Sequence, residues 1–531
     1  MKKIVGYSLV VLVFLAGAAY LLVNQLTGDM FPEQTSVTLA GESACDAAAL
    51  PALEDLRLIS VSLESQPVDH CKIAGVIEKE INFELLLPLQ WNGKFVMGGG
   101  GGFVGSVVNM AFYYGALQSG YATVGTDTGH RGHPVDASWA LDRPDRVENF
   151  GHRAVHLTTV RSKEYIAAFY GQESRLNYFM GCSRGGGQAL MEAQRYPQDY
   201  DGIVAGAPAF SWHQGIGVNG TRINQAQFPD PESLEQAVVT PADQALIREA
   251  YLAQCDGLDG IEDGILNDPR ACPFQVSSLQ CKGVDSSSCL SEEKVNAMEV
   301  IYNGPIVDGE RVWPGFPLGG ETSEQGMTQW LTGGLDYAQM EGNPIEEVEF
   351  EAPVIPNAVY GFANGVMKYL VFNDADWDYS SYDFSSWEED TAEAARILSA
   401  DDPDLDAFRA RGGKMLMYHG WSDMALSANG SIQYYEQVLE RDAAARDDVR
   451  LYLMPGVDHC FGGEGPFWVN YLTEIDRWVE SGQPPEAIEA RWLQWFILPR
   501  GSRPVCPYPQ QAKYNGSGDT RDAASFSCTN P

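Results

Sequence analysis

The chain reads as an α/β protein, a parallel sheet flanked by helices and interrupted by one long insertion. Three observations predict this. Short apolar runs alternate with helical patterns up to about residue 209. The rhythm is lost over 210–410, a loop-rich, acidic stretch holding four of the ten cysteines. It returns with "KMLMYHGWSDMAL" (Lys414–Leu426) and "VRLYLMPGVDHC" (Val449–Cys460). The expected organisation is one sheet domain, 40–209 and 411–531, with a lid at 210–410. A length of 531 residues suits two such units.

The elements follow in order. Two lysines precede 20 uncharged residues, Ile4–Val23, so 1–28 reads as an export signal. That run is also long enough to span a bilayer. The small residues Ala16–Ala19 offer a cleavage point and favour a signal peptide over an uncleaved anchor, the only membrane link the sequence suggests. "FELLLPLQWNGKFVMGGGGGFVG" (Phe83–Gly105) reads as two strands and a glycine loop, and "ATVGTDTGH" (Ala122–His130) as a strand and its exit. Val155–Tyr170 carries apolar positions at helical spacing and stops at Gly171. A strand around Tyr178–Met180, a helix through Gln194 and a buried strand in Tyr200–Pro208 complete the first half.

Charge and cysteines narrow the function. With 35 basic against 72 acidic residues the net charge is −37, which argues against nucleic acid as a partner. No partner protein is indicated. An even number of cysteines in an exported chain points to disulfides. Pairing neighbours gives Cys45–Cys71, Cys255–Cys272, Cys281–Cys289 and Cys506–Cys528, leaving Cys182 and Cys460 for each other.

Gly181-Cys182-Ser183-Arg184-Gly185 fits G-x-S-x-G between a strand and a helix, the setting of a nucleophile elbow. A serine needs a base. His459, after the last sheet-like strand, stands where the chain order Ser, acid, His puts it. His130, His133, His152 and His156 precede the serine, and His419 is expected to line the pocket and bind substrate. Asp423 suits the acid, with Asp458 in reserve. Cys182 precedes the nucleophile and Cys460 follows the base, so their bridge would tie the two catalytic loops. The oxyanion donors are expected at the Arg184 N–H and in Gly98–Gly102, with Gly101 the choice. No Lys-Ser/Thr follows that loop, which excludes a phosphate-binding loop. "CDGLDGIEDGIL" (Cys255–Leu266) sets Asp256, Asp259 and Asp263 among glycines, either an acidic turn or a calcium site.

With "WNGKF", "TDTGH", "GCSRGGGQAL", "YHGWSD", "GVDHCFGG" and the tail "RPVCPYPQQAKYNGSGDTRDAASFSC", the chain from about Cys45 onward resembles the tannase/feruloyl esterase family. That family includes the mono(hydroxyethyl) terephthalate hydrolases. The resemblance implies an α/β-hydrolase fold with a lid, five disulfides paired as above, and a secreted serine esterase for small aromatic esters. It also implies a structural calcium ion (Ca2+) in the lid, held by the side chains of Asp256, Asp259 and Asp263 and the carbonyls of Ile261 and Ile265. Terephthalate monoester hydrolases of the family hold the free carboxylate with a lid arginine. Here Lys368 is the only basic residue between Arg311 and Arg396, so feruloyl- or galloyl-type esters are expected. A terephthalate monoester hydrolase or general carboxylesterase is the alternative, and a silent calcium-stabilised binding protein the non-enzyme one. Nine aromatics in Tyr360–Trp387 are candidates to stack on an acyl group, and the Arg184 charge to tune acyl preference.

Overall fold

Residues 37–41, 45–284, 286–333, 355–494 and 498–531 are described by a computed structural model. The amino-terminal 1–28 segment, with its signal or anchor reading, lies outside them. No helix among the described residues is long and apolar enough to cross a membrane.

The centre is a nine-stranded sheet. Its strands are β1 (Leu56–Glu64), β2 (His70–Ile77), β3 (Ile81–Pro88), β4 (Lys94–Gly98), β5 (Ala122–Thr126), β6 (Leu176–Cys182), β7 (Gly202–Gly206), β8 (Lys414–Gly420) and β9 (Val449–Met454). They lie in the order β9-β8-β7-β6-β4-β5-β3-β2-β1. From β5 to β9 every pairing is parallel, while β1, β2 and β3 join antiparallel. The parallel strands carry apolar residues on both faces because helices cover both, and β4, β5 and β7 are buried at every position. The outermost β1 alternates towards solvent, and its pattern is too broken to read as a strand from sequence alone.

Helix α1 (Ala154–Tyr170) ends on Gly171 at φ +70°, the left-handed stop its glycine predicts. α2 (Arg184–Arg195) follows β6 directly, and all but its last two residues are buried. The described residues between β7 and β8 add no strand to the sheet. It holds α3 (Asn219–Gln227), α4 (Pro241–Cys255), α5 (Glu292–Asn303), α6 (Ala358–Gly365) and α7 (Trp387–Leu398). Ile247, Tyr251, Leu290, Met298, Met327 and Leu331 build a second hydrophobic core there. After β8 come α8 (Ala428–Arg441) and, beyond β9, α9 (Tyr471–Ser481). All five expected disulfides form.

Candidate active site

β6 ends at Cys182, and the chain turns at once into α2. Ser183, between them, has φ +61° and ψ −123°. A non-glycine residue at positive φ is strained and persists only where its surroundings enforce it. The enforcement is visible. A Cβ on Gly181 would sit 2.4 Å from the Gly185 carbonyl carbon, and one on Gly187 would sit 2.0 Å from the Ala209 oxygen. The Ser183 N–H donates to Gly206 O at 3.0 Å, and Ser183 O accepts from Ala209 N at 2.9 Å. Small residues let α2 approach this closely, and the turn presents Ser183 at the carboxyl edge of the sheet.

The expected acid and base, Asp423 and His459, come from the exits of β8 and β9. His459 Nδ1 lies 2.7 Å from Asp423 Oδ2, with Asp423 fully buried. The other Asp423 oxygen accepts the N–H groups of Ala425 and Leu426 at 2.8 and 2.9 Å. Burial pushes the Asp423 carboxyl up, but the facing His459 and His419 outweigh it and hold its pKa well below the usual range. Asp423 is therefore ionised at neutral pH and fixes the Nδ1–H tautomer of His459, leaving Nε2 free to take a proton. Trp330 from the insertion stands edge-on to the His459 ring, centroids 5.0 Å apart. The Cys182–Cys460 bridge joins the nucleophile and base segments, with Cα atoms 5.9 Å apart.

Ser183, Arg184, Gly102 and His459 line one cavity, with about 520 Å³ of atom-free space including its open mouth, together with Trp212, Ile216, Asn219, Phe316, Trp330, Val359, Phe362 and Leu426. The polar groups cluster at the sheet end, while most of the remaining wall is apolar and comes from the insertion.

Some expectations need correction. His419 does not line the cavity and is not placed to bind substrate. It lies behind the acid, fully buried, with Nε2 3.2 Å from Asp423 Oδ2 and 2.9 Å from Leu426 O, and Nδ1 2.8 Å from the Ser431 hydroxyl. Its sequence position next to a strand end could not say on which side of Asp423 it would fall. In the glycine loop Gly102, not Gly101, reaches the cavity wall. Gly100 is occupied elsewhere, taking the Gly185 N–H on its carbonyl and donating its own N–H to Gln188. Five identical residues carry no side-chain pattern from which to choose. The Arg184 guanidinium is stacked over Phe150 and donates to the carbonyls of Phe150 and Gly151, so its charge is engaged beside the cavity wall. Burial lowers its pKa to about 9. Of the nine aromatics in Tyr360–Trp387, Phe362 alone lines the cavity. Phe372, Trp377, Tyr382 and Phe384 pack on one another in a partly exposed aromatic cluster of the insertion. Asp458 is buried and makes no contact with His459 that competes with Asp423, and burial pushes its carboxyl up to about 7.

The cavity walls missed by sequence reasoning are Trp212, Ile216, Phe316 and Trp330. They sit in irregular turns of the insertion, where no periodicity marks an inward face.

In the acidic loop, one oxygen each of Asp256, Asp259 and Asp263 accepts a backbone N–H, from Gly264, Ile261 and Ile265. The second Asp263 oxygen meets Arg503. Burial pushes Asp259 up to about 6, and the neighbouring Asp263 and Asp256 add to the rise. These are oxygen donors of the hard type that calcium takes, although the three carboxylates do not all come within 4.8 Å of one another.

Comparison with known proteins decides the family. The tannase and feruloyl esterase family profile matches residues 65–529. The chain belongs to that family. It is 32% identical to mono(2-hydroxyethyl) terephthalate hydrolase of Piscinibacter sakaiensis, over 93% of each chain. It is 29% identical to probable feruloyl esterase B-2 of Aspergillus terreus, over 94% of this chain and 90% of that one. Feruloyl esterase B from Aspergillus oryzae superposes with a TM-score of 0.77 at 26% identity, covering 92% of this chain and all of that one. The tannase-family chain has an α/β-hydrolase fold and is a carboxylic ester hydrolase. Its five disulfides fit work outside the cytoplasm.

Proposed function

We propose that this esterase cleaves uncharged aromatic esters, of the feruloyl or galloyl type, with Ser183, His459 and Asp423 as its catalytic triad. The observation that carries the reading is the buried Asp423–His459 pair facing the same cavity as the strained Ser183. His459 Nε2 takes the Ser183 proton as Oγ attacks the ester carbonyl, and the N–H groups of Arg184 and Gly102 receive the oxyanion. His459 returns the proton to the departing alcohol. Water, activated by the same ring, then releases the acid.

The wall chemistry supports a neutral acyl group. Apart from His459, Arg184 is the only basic residue among the described residues lining the cavity, and its guanidinium is buried over Phe150 with Nη2 on the Phe150 and Gly151 carbonyls. Lys368 donates instead to Ala375 O at 3.0 Å on the surface. A substrate carboxylate would thus enter an apolar pocket without a bidentate partner. Rates on methyl ferulate, methyl gallate and mono(hydroxyethyl) terephthalate, measured side by side, test this. The neutral esters should be favoured by tenfold or more on the usual cost of an unpaired buried charge, and a preference for the terephthalate monoester would overturn it. Ser183→Ala should remove turnover on all three, down to about the residual level of a triad knockout.

We assign calcium to the lid loop, with the side chains of Asp256, Asp259 and Asp263 and the carbonyls of Ile261 and Ile265 as ligands. Its role there would be to neutralise crowded carboxylates and hold α4 to the turn that follows. Chelation should lower Tm and excess calcium restore it, and an unchanged Tm would count against the assignment.

A further inference from the structure

One titratable cluster lies outside the cavity and is used by none of this chemistry. His156 on α1, Glu192 in the last turns of α2, and Asp199 in the turn after it face one another. Among the described residues this is the one set of three such side chains whose ligand atoms all lie within 4.8 Å of each other. His156 Nδ1 is 2.6 Å from Asp199 Oδ2. The second observation is Glu192 itself, 1% exposed, with Oε2 enclosed and no N–H or hydroxyl donor on it, its carboxyl facing that of Asp199. Two buried carboxyl groups in contact must share a proton or a cation.

We propose that His156, Glu192 and Asp199 form a binding site for a divalent transition-metal ion of the zinc class, clamping α1 to the distal end of α2. One imidazole nitrogen with two carboxylate oxygens is a zinc-type donor set with a fourth position left for water. Calcium and magnesium prefer all-oxygen sets, which separates this cluster from the lid loop. The half-buried His156 leaves an approach from solvent. The ring stacks on Tyr196 with centroids 3.9 Å apart, which fixes its plane, and the Tyr196 hydroxyl meets His152 Nδ1 at 2.7 Å. Lys163 donates to the Asp199 carbonyl. Its charge offsets one carboxylate and leaves one negative charge for the ion. Burial and the nearby Asp199 push the Glu192 carboxyl up, so a metal ion competes with a proton there. The consequence is mechanical. α2 starts at the nucleophile, and the ion would anchor its other end.

The test uses the whole protein in excess calcium, so that the lid loop is filled. Zinc is then titrated calorimetrically, and retained metal is measured after dialysis. About one zinc per chain is expected. Glu192→Gln and His156→Asn should each weaken binding at least tenfold, while Asp259→Asn, in the lid loop, binds as wild type. Should Glu192→Gln not fold, the partly exposed His156→Asn decides alone. Wild-type protein that retains no zinc overturns the proposal. So does equal retention by His156→Asn, or loss of zinc in Asp259→Asn alone.

Discussion

The two walls of the cavity are held in place by different means. The sheet-side wall is fixed by covalent and charged contacts: a strained serine at a strand end, a buried Asp423–His459 pair and a disulfide between the flanking cysteines. The side chains of the lid-side wall are held mainly by apolar packing, with Trp212, Ile216, Phe316 and Phe362 drawn from turns and short helices of the insertion. Directional contacts fix atoms to the fraction of an ångström that proton transfer requires. Apolar packing fixes shape more loosely, and shape is enough to select an aromatic ring. The comparison teaches that reactivity and selectivity are carried by separable parts of the chain.

Three substitutions test that separation. Asp423→Asn should have the largest effect, lowering kcat about 10⁴-fold on every ester because it removes the charge that sets the His459 tautomer. A loss that differed strongly between substrates would mean the two walls are not independent. Phe362→Ala should act in the opposite sense. Its ring packs against Phe103 with centroids 5.2 Å apart, so a lost aromatic contact should lower kcat/KM on methyl ferulate by on the order of tenfold. A short aliphatic ester should be nearly unaffected, and an equal loss on both would place Phe362 in the catalytic support. Asp458→Asn should have the smallest effect and should show in stability. The folded carboxyl titrates at about 7, above its unfolded value, so the folded state binds the proton more tightly. Stability is therefore lost as pH rises from about 4 to about 7. The asparagine variant lacks this term, so its Tm advantage over wild type should grow between pH 5 and pH 8. A constant difference would contradict it.

How much of this was legible follows the same division. Ser183, Asp423 and His459 could be placed because their chemistry demands a motif, a chain order and strand ends, and each leaves a mark in sequence. The Cys182–Cys460 pair was legible because each cysteine sits beside a catalytic residue. β1 and β2 were missed: the edge strand β1 alternates irregularly between burial and solvent, and the largely buried β2 is interrupted by Lys72 and Gly75. The cavity aromatics were misjudged for a similar reason. Phe362 and Phe372 belong to the same aromatic-rich stretch, and only three-dimensional packing decides that one faces the cavity and the other a partly exposed aromatic cluster. His419 could be seen to be near the acid, but not that it supports Asp423 from behind.

The bridge between Cys182 and Cys460 encloses the entire 210–410 insertion in a covalent ring of 278-residue separation. Closing the ring at its base means that lengthening or shortening the insertion changes chain entropy only slowly, as the logarithm of loop size. New acyl pockets could therefore be grafted between β7 and β8 while the two halves of the proton relay stay tethered to each other.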